Sequence, residues 1–538
     1  MKKRYLLFSF LASSIAGFSQ MTVQSGATLV IESGAKVTIQ GDLVSSANIQ
    51  GTGTILMKGS ALQNINMNGN MIPNLEIDNP SNVTLTGAAT RIGTNLLFTN
   101  GKLLTSSQDL ILGATATIAG YDASRFIWTD GTGQVRKELT ADITNYEIPV
   151  GFNASYRPVF ISSSGGSYAA ANIGVRSLGT ASPNRPPMMA NFLQTSWPVS
   201  KTGITGGTQT VAGQYVDPTD VTGTESTLVG YFFNGTDWSS VGETHDVATN
   251  RVSTSLNAAT GELTGMNKFV TVGSRAFLQG AYSTATGLMT DALRTGGNVI
   301  PLSSPYRSAP YNTAFSLVDN ATAEMVSSSV FNDQASINDN IVDWVFLELR
   351  NTASPGNQIL QTRSALIQRD GDIVDIDGVS PVTFNNVVGN SFTIAVRHRN
   401  HLGLATLPTA PRTFTEARSL AFTTNVADIR NAATQLFGTS GTNYTTASHS
   451  GLGTVNLLWS GNINANAASN YSGPSNDRLA LLTDLGGNQI STLPGYRRGD
   501  LNMNKTVNYS GPGNDRLFLI SNVLGGNQIT TRNQVLPN

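Results

Sequence analysis

Seven residues, SGATLVI (25–31), return after a single intervening residue as a near copy, SGAKVTI (33–39). Leu29, Ile31, Val37 and Ile39 occupy alternate positions, and a Ser-Gly pair resets the chain between them. Alternation of period two puts those side chains on one face of a strand. Strands this short cannot bury a face alone, so they must stack on copies of themselves. NVTLTG and DLILGATATIAG continue the pattern, with Asn-Gly, Thr-Gly and Ser-Gly turns. Residues 20–120 are therefore predicted to form a short β-solenoid or a hairpin stack. Phe98 is the only aromatic residue in that stretch, which argues against a sugar-stacking surface there.

The texture changes at Tyr121. RFIWTDGTGQVRKEL, NYEIPVGFNASYRPVFI and TLVGYFFNGTDWSSV read as strands between turns, with Trp128, Trp197 and Trp238 as core anchors. A β-sandwich is expected over 121–275 and a second over 276–408. In the second, Trp344 lies in the apolar run IVDWVFLEL, a core position. LPTAPRTF then reads as a linker, leaving 409–538 for a linker and a small helical C-terminal module. The fold class expected is mainly β. Composition agrees: charged residues are 12% of 538, about half the roughly 25% of an average globular chain, and glycines number 54.

Lys2, Lys3 and Arg4 precede the apolar stretch Tyr5–Phe18, and Gly17 and Ser19 are small residues ahead of Gln20. This pattern predicts a cleaved signal peptide over 1–19 and a secreted or cell-surface protein. No comparable apolar run follows, so no transmembrane segment is expected in the mature chain. A net charge of -1 gives no electrostatic case for nucleic acid. With no cysteine, neither disulfides nor a lipidated cysteine can form.

GNINANAASNYSGPSNDRLALL (461–482) and GDLNMNKTVNYSGPGNDRLFLI (499–520) superpose at a constant offset. Asn462, Asn464, Asn466, Asn470 and Asp477 fall on Asp500, Asn502, Asn504, Asn508 and Asp515. Calcium takes six to eight oxygens from a loop that supplies them at alternate positions, then a backbone carbonyl, then a closing carboxylate. Asp500, Asn502 and Asn504 fit the first three, Thr506 the carbonyl, Asn508 the ninth position and Asp515 the closing group. Three departures stand out. Asp515 is the sixteenth residue rather than the twelfth, so 509–514 must fold out as a turn. Lys505 replaces the usual glycine at the sixth position. The first repeat has no acid before Asp477 and should be the weaker site.

A simpler reading takes Asn476 and Asn514 as helix N-caps, with Asp477 and Asp515 in the first turn. It leaves the alternating Asn/Asp run unexplained. Leu517, Ile520 and Leu524 then form one helix face and Leu479, Leu482 and Leu485 another, the two packing together, with Gly525-Gly526 stopping the second helix.

Two other clusters gather acids or histidines. Asp370-Gly371 in QRDGDIVDIDG reads as a hairpin turn rather than a metal loop. His398 and His401 in HRNH would face opposite sides of a strand and read as an exposed strand end, unless a local turn brings them together. No GxSxG, HExxH, GxxxxGK[ST] or GxGxxG occurs.

Residues 276–408 resemble a β-domain of exported multidomain surface proteins of Gram-negative bacteria, on FLQGAYSTATGLMTDALR, VDWVFLELR, QRDGDIVDIDGVSPVTF and AVRHRNHLG. Residues 456–538 resemble a variant dockerin-type repeat pair, on LLWSGNINAN, GDLNMNKTVNYSGPGNDR and the twin GGNQI. Val507 falls where dockerins put an apolar residue that pairs the two loops. The resemblance implies calcium as the bound ion and a non-catalytic exported adhesion or scaffolding protein. Its partner would be an extracellular polysaccharide or a cell-surface protein, in polysaccharide handling. The alternative is a carbohydrate-active enzyme, a polysaccharide lyase or glycoside hydrolase, with its site in a β domain. A solenoid lyase would need clustered carboxylates beside Lys or Arg, whereas Glu32, Asp42, Glu76, Asp78 and Asp109 are scattered.

Overall fold

The computed structural model describes residues 20–352, 358–387, 391–413, 418–419, 426–431, 434 and 436–536. The expected signal peptide lies outside them. The chain divides into two compact units, one of Met1–Ser182, Phe192–Asn234 and Ser240–Gly265, the other of Pro183–Asn191, Gly235–Ser239 and Met266–Asn538.

Within the first unit the short strands stack in parallel. Met21 pairs with Leu43, Leu43 with Ile65, Ile65 with Leu85 and Leu103 with Ile127, building one wall. A second wall runs through Lys36–Ile39, Thr54–Met57, Met71–Asp78 and Thr90–Asn100, each parallel to the last. Only a solenoid gives this register, so the hairpin alternative does not hold. Alternate residues such as Ile55, Met57, Ile65, Ile77 and Leu85 are fully buried between the walls, as period-two patterning requires.

The solenoid runs past residue 120. Val135–Leu139 pairs in parallel with Leu110–Leu112 on one edge and antiparallel with Ser167–Val175 on the other. The parallel wall thereby becomes an antiparallel sheet that continues to Trp197–Thr205. A second antiparallel sheet, from Ile143–Ile148 through Val159–Ser164 and Thr208–Gln214 to Arg251–Ser255, shares the same apolar core. The expected boundary at 120/121 falls inside this unit.

In the second unit a long hairpin, Ile341–Asn351 with Ile359–Gln368, lies at the centre of a sheet continued by Ser391–His398 and His401–Ala405. Ile341–Arg350 is buried on both faces, which is why its sequence is almost unbrokenly apolar. Trp344 is fully buried, its indole N–H donating to Pro301 O at 2.8 Å. Asp370-Gly371 forms the turn of a hairpin, as expected, with Gly371 at φ +94°.

The C-terminal repeats are joined to this sheet. Leu402 belongs to the apolar cluster of Ile463, Leu481, Leu501 and Leu519, while Met503 belongs to the core around Trp344. The residues between the two repeats and the sheet are therefore not a free linker throughout: Leu458 N–H donates to Phe277 O, and Leu402 N–H to Trp459 O. Helix α1 spans Asp477–Asp484; α2, Asp515–Leu517, runs on as a π-helical stretch, Phe518–Val523. Among the described residues no helix is long and apolar enough to cross a membrane.

Candidate metal centre

Each Asn/Asp ladder folds into a loop that curls around its own closing carboxylate. Asp515 is fully buried; its Oδ1 accepts from Leu501 N–H at 2.8 Å and its Oδ2 from Asn508 N–H at 2.9 Å. Asp477 repeats this with Ile463 N–H at 2.8 Å and Asn470 N–H at 2.9 Å. Asp515 comes back to its loop because 509–514 folds out as a turn, with Gly511 and Gly513 at φ +94° and +62°. Both N-caps form: Asn476 Oδ1 accepts from Leu479 N–H and Asn514 Oδ1 from Leu517 N–H.

At the other end of the second loop Asp500 accepts from Asn504 and Lys505 N–H, both at 2.9 Å. Lys505 makes the sharp turn without glycine, at φ +72°, and its ammonium reaches the carbonyls of Thr295 and Gly297. The first repeat is left-handed at the matching positions, Ala465 and Ala467. Asn504 Oδ1 accepts from Thr506 N–H, and Asn466 Oδ1 from Ala468 N–H. Asn464 bonds the Asn466 amide and the Ser475 carbonyl.

Four asparagine oxygens stand apart. Oδ1 of Asn502 and Asn508 in the second loop, and of Asn462 and Asn470 in the first, are buried without a hydrogen-bond donor. Such an oxygen costs about 1–3 kcal/mol unless something satisfies it. Among the described residues no ion pair forms at Asp477 or Asp515, while Arg399 partly offsets burial at Asp500. Burial pushes Asp515 and Asp477 up to about 7 and Asp500 up to about 6, with Asp500 adding to the shift at Asp515. A carboxylate oxygen that accepts one amide keeps a second lone pair. The oxygens present thus fit a hard cation; none is a sulfur or imidazole ligand of the kind softer metals prefer. Among the described residues no group of three or more His, Cys, Asp or Glu is placed to hold a metal, so any ion here rests on amide oxygens and on no more than two carboxylates.

Two details differ from expectation. The loops do not pair with each other through Val507. The strand Thr506–Asn508 pairs with Thr492–Pro494, which follows the first helix, and Ala468–Asn470 pairs with Thr531–Asn533, which follows the second. Each loop is thus closed by the tail of the other repeat. The helix faces also turn: Leu481 and Leu485 pack with Leu519, Val523 and Leu524, while Leu479 and Leu517 are 54% and 48% exposed. Gly487 and Gly526, at φ +80° and +78°, end the two helices.

HRNH is not an exposed strand end. A turn at Arg399-Asn400 folds His401 back on His398, and both are buried. Gly280 N–H donates to His401 Nε2, which leaves the His401 proton on Nδ1, facing Asn400 Oδ1 at 2.8 Å and His398 Nδ1 at 2.9 Å. His398 must then carry its proton on Nε2 and donate it to Asp343 Oδ2 at 3.0 Å. Burial holds both imidazoles below the usual histidine range. Burial would raise Asp343, but Arg399 and His398 outweigh it and hold the carboxyl low. With Arg399 and Tyr496 also bonded to Asp343, the cluster is a buried hydrogen-bonded polar core in which Arg399 Nη2 lacks an acceptor.

The solenoid acids do not converge. Glu76 pairs with Lys36, Asp78 with Lys58 and Asp109 with Arg136, while Asp42 accepts from the Asn64 amide.

Compared with known proteins, the chain matches no family model, no curated protein and no solved structure.

Proposed function

We propose that the two ladders are calcium loops of a variant dockerin-type pair, within an exported, non-catalytic adhesion or scaffolding protein. The observation that carries the metal reading is the set of buried, donorless asparagine oxygens beside uncompensated carboxylates. Turn chemistry accounts for the caps and the amide bonds but leaves those oxygens without partners. The second loop, with two carboxylates, is the stronger site. Export rests on the Lys2–Ser19 pattern, and a partner at the cell surface, polysaccharide or protein, follows from the resemblance.

Thermal melting of the mature chain in chelator and in calcium tests the metal reading. With a Kd of about 10⁻⁴–10⁻³ M, typical of extracellular modules, about 10 mM calcium stabilises by roughly 1.4–2.7 kcal/mol. Magnesium should substitute poorly, because it demands tighter octahedral geometry. Superimposable curves in chelator and calcium would reduce the ladders to turns. N-terminal sequencing of exported material should start at or near Gln20; an intact Met1 would refute the export reading.

A further inference from the structure

An open cleft of about 810 Å³ lies between residues 309–311, the first ladder with α1, and residues 494–498. Much of its lining is apolar: Pro310, Ile463, Leu479, Ala480 and Pro494. Three charged groups also line it, Asp484, Arg497 and Arg498. Arg497 pairs with Asp484, while Arg498 is not fully satisfied.

Arg498 has no carboxylate within salt-bridge distance among the described residues. Its Nη1 makes one long bond, 3.4 Å to Ile463 O, and its Nε and Nη2 have no acceptor. The guanidinium lies over the Tyr311 ring, 5.0 Å from its centre. A half-buried guanidinium without a counter-ion is best complemented by a planar carboxylate that takes two of its N–H groups. Asp484 takes Arg497 on Oδ1 at 3.2 Å, but its Oδ2 is buried without a donor. The cleft therefore offers a cation seeking a carboxylate and apolar walls, while Asp484 Oδ2 is turned towards Gly499.

These features favour a peptide over a sugar acid. A sugar ring wants an open aromatic face, yet Arg498 covers Tyr311 and Arg399 covers Tyr496 at 4.4 Å. Apolar side chains, by contrast, suit Ile463 and the half-exposed Leu479. We propose that this cleft binds the carboxylate end of a peptide. The carboxylate sits on Arg498, and the last apolar side chains lie against Ile463 and Leu479. Arg498 gives up its long bond to Ile463 and turns that edge of the guanidinium to the ligand. This assigns the scaffolding reading a protein partner and a place for it, and it stands or falls separately from calcium.

Titration calorimetry on the mature full-length chain, in chelator and in calcium, tests it with three probes. They are N-acetyl-dileucine with a free carboxylate, the same compound as its amide, and digalacturonate. The free acid should bind and the amide should bind at least about tenfold more weakly, the loss expected for a charge-assisted pair. Arg498→Gln should weaken the acid by a similar factor. Leu479→Glu, at an exposed position, should weaken it without lowering the melting temperature, which keeps the test decisive if Arg498→Gln folds poorly. Equal binding of acid and amide overturns the proposal. So does tighter binding of digalacturonate, or no binding of the acid at about 10 mM, where even a millimolar site would show.

Discussion

The Tyr496 hydroxyl donates to Asp343 Oδ1 at 2.7 Å, joining the segment between the two ladder repeats to the central strand of the sheet. The bond belongs to a larger seam. Asn400 donates to Asp500 O at 2.7 Å, Ser460 to Leu501 O at 3.0 Å, and Arg399 to the Arg497 carbonyl. The backbone of the second loop is thus held from outside by the hairpin tip that carries the two histidines. The repeats and the sheet should therefore unfold as one cooperative unit.

Removing the hydroxyl tests that coupling. Tyr496→Phe takes one donor from a buried carboxylate and should cost about 1.5–3 kcal/mol, the range for a hydrogen bond to a charged group. Asp343→Ala strips Arg399 of its counter-ion and should cost more, about 3–5 kcal/mol. Denaturant unfolding followed by tryptophan emission would measure both. Because the first unit carries tryptophans of its own, the comparison is made in variants that keep only Trp344, in the sheet core, or only Trp459, in the repeat cluster. Different midpoints for the two would show that the repeats fold apart from the sheet.

Trp344 offers a contrast without charges. It is fully buried and bonded at its indole N–H, so Trp344→Ala should destabilise the second unit by about 3–5 kcal/mol. Unchanged melting would mean that the position is not core.

Acid should act on the histidine pair. Both imidazoles titrate below the usual histidine value in the folded state. The unfolded chain then binds protons first, and the stability they contribute above about pH 6.5 is lost as the pH falls. Asp343 and Arg399 are the charged groups against the pair. In metal-free protein Asp477, Asp500 and Asp515 act in the opposite direction. Their raised values favour the protonated fold, and stability falls as the pH rises towards about 7. A difference curve removes that common slope. His401→Gln can still accept from Gly280 and donate to His398, so its deficit against wild type should shrink as the pH drops below about 6.5. A deficit independent of pH would mean that the imidazoles do not titrate on unfolding.

Much of the architecture was legible because it is local. The solenoid is written in alternate apolar positions and turn pairs within a few residues, and both N-caps are written three residues ahead of the amides they bond. What escaped is non-local. Nothing near Val135 announces that its strand pairs with Leu110–Leu112 on one edge and Ser167–Val175 on the other. The reversal at Arg399-Asn400 uses neither glycine nor proline, so HRNH looked like a strand end. The helix faces turned because the hairpin and the opposite repeat decide which side is covered: Leu481 is buried where Leu479 was expected. At the ladders, residue types gave the candidate oxygens. Which of them lack donors depends on the fold of the whole loop.

Backbone strain at the ladders makes a separate prediction. Ala467 sits at φ +64°, where a Cβ is disfavoured by about 1–2 kcal/mol. Ala467→Gly should relieve that and raise the melting temperature, the gain being trimmed by the greater freedom of glycine in the unfolded chain. Lys505→Gly should gain less or lose, since the lysine also reaches the Thr295 and Gly297 carbonyls. A lower melting temperature for Ala467→Gly would contradict the strain argument.

The sharpest separation of metal ligand from turn residue is at Asn508. Asp515 is a poor choice, because its carboxylate also accepts the Leu501 and Asn508 amides, so Asp515→Ala would loosen the loop whether or not a cation binds. Asn508 Oδ1, by contrast, is buried and accepts no hydrogen bond. Asn508→Ala therefore removes no bond from the metal-free protein and relieves a donorless oxygen, so the variant in chelator should melt no lower than wild type. In calcium it should lose most of the stabilisation at the second loop, because a coordinating oxygen is gone. Asn470→Ala should follow the same pattern with a smaller calcium effect, its loop having one carboxylate rather than two. The measurement is a pair of melting curves for each variant, in chelator and at about 10 mM calcium. A calcium shift in Asn508→Ala equal to that of wild type would place the ion, if one binds, away from this oxygen.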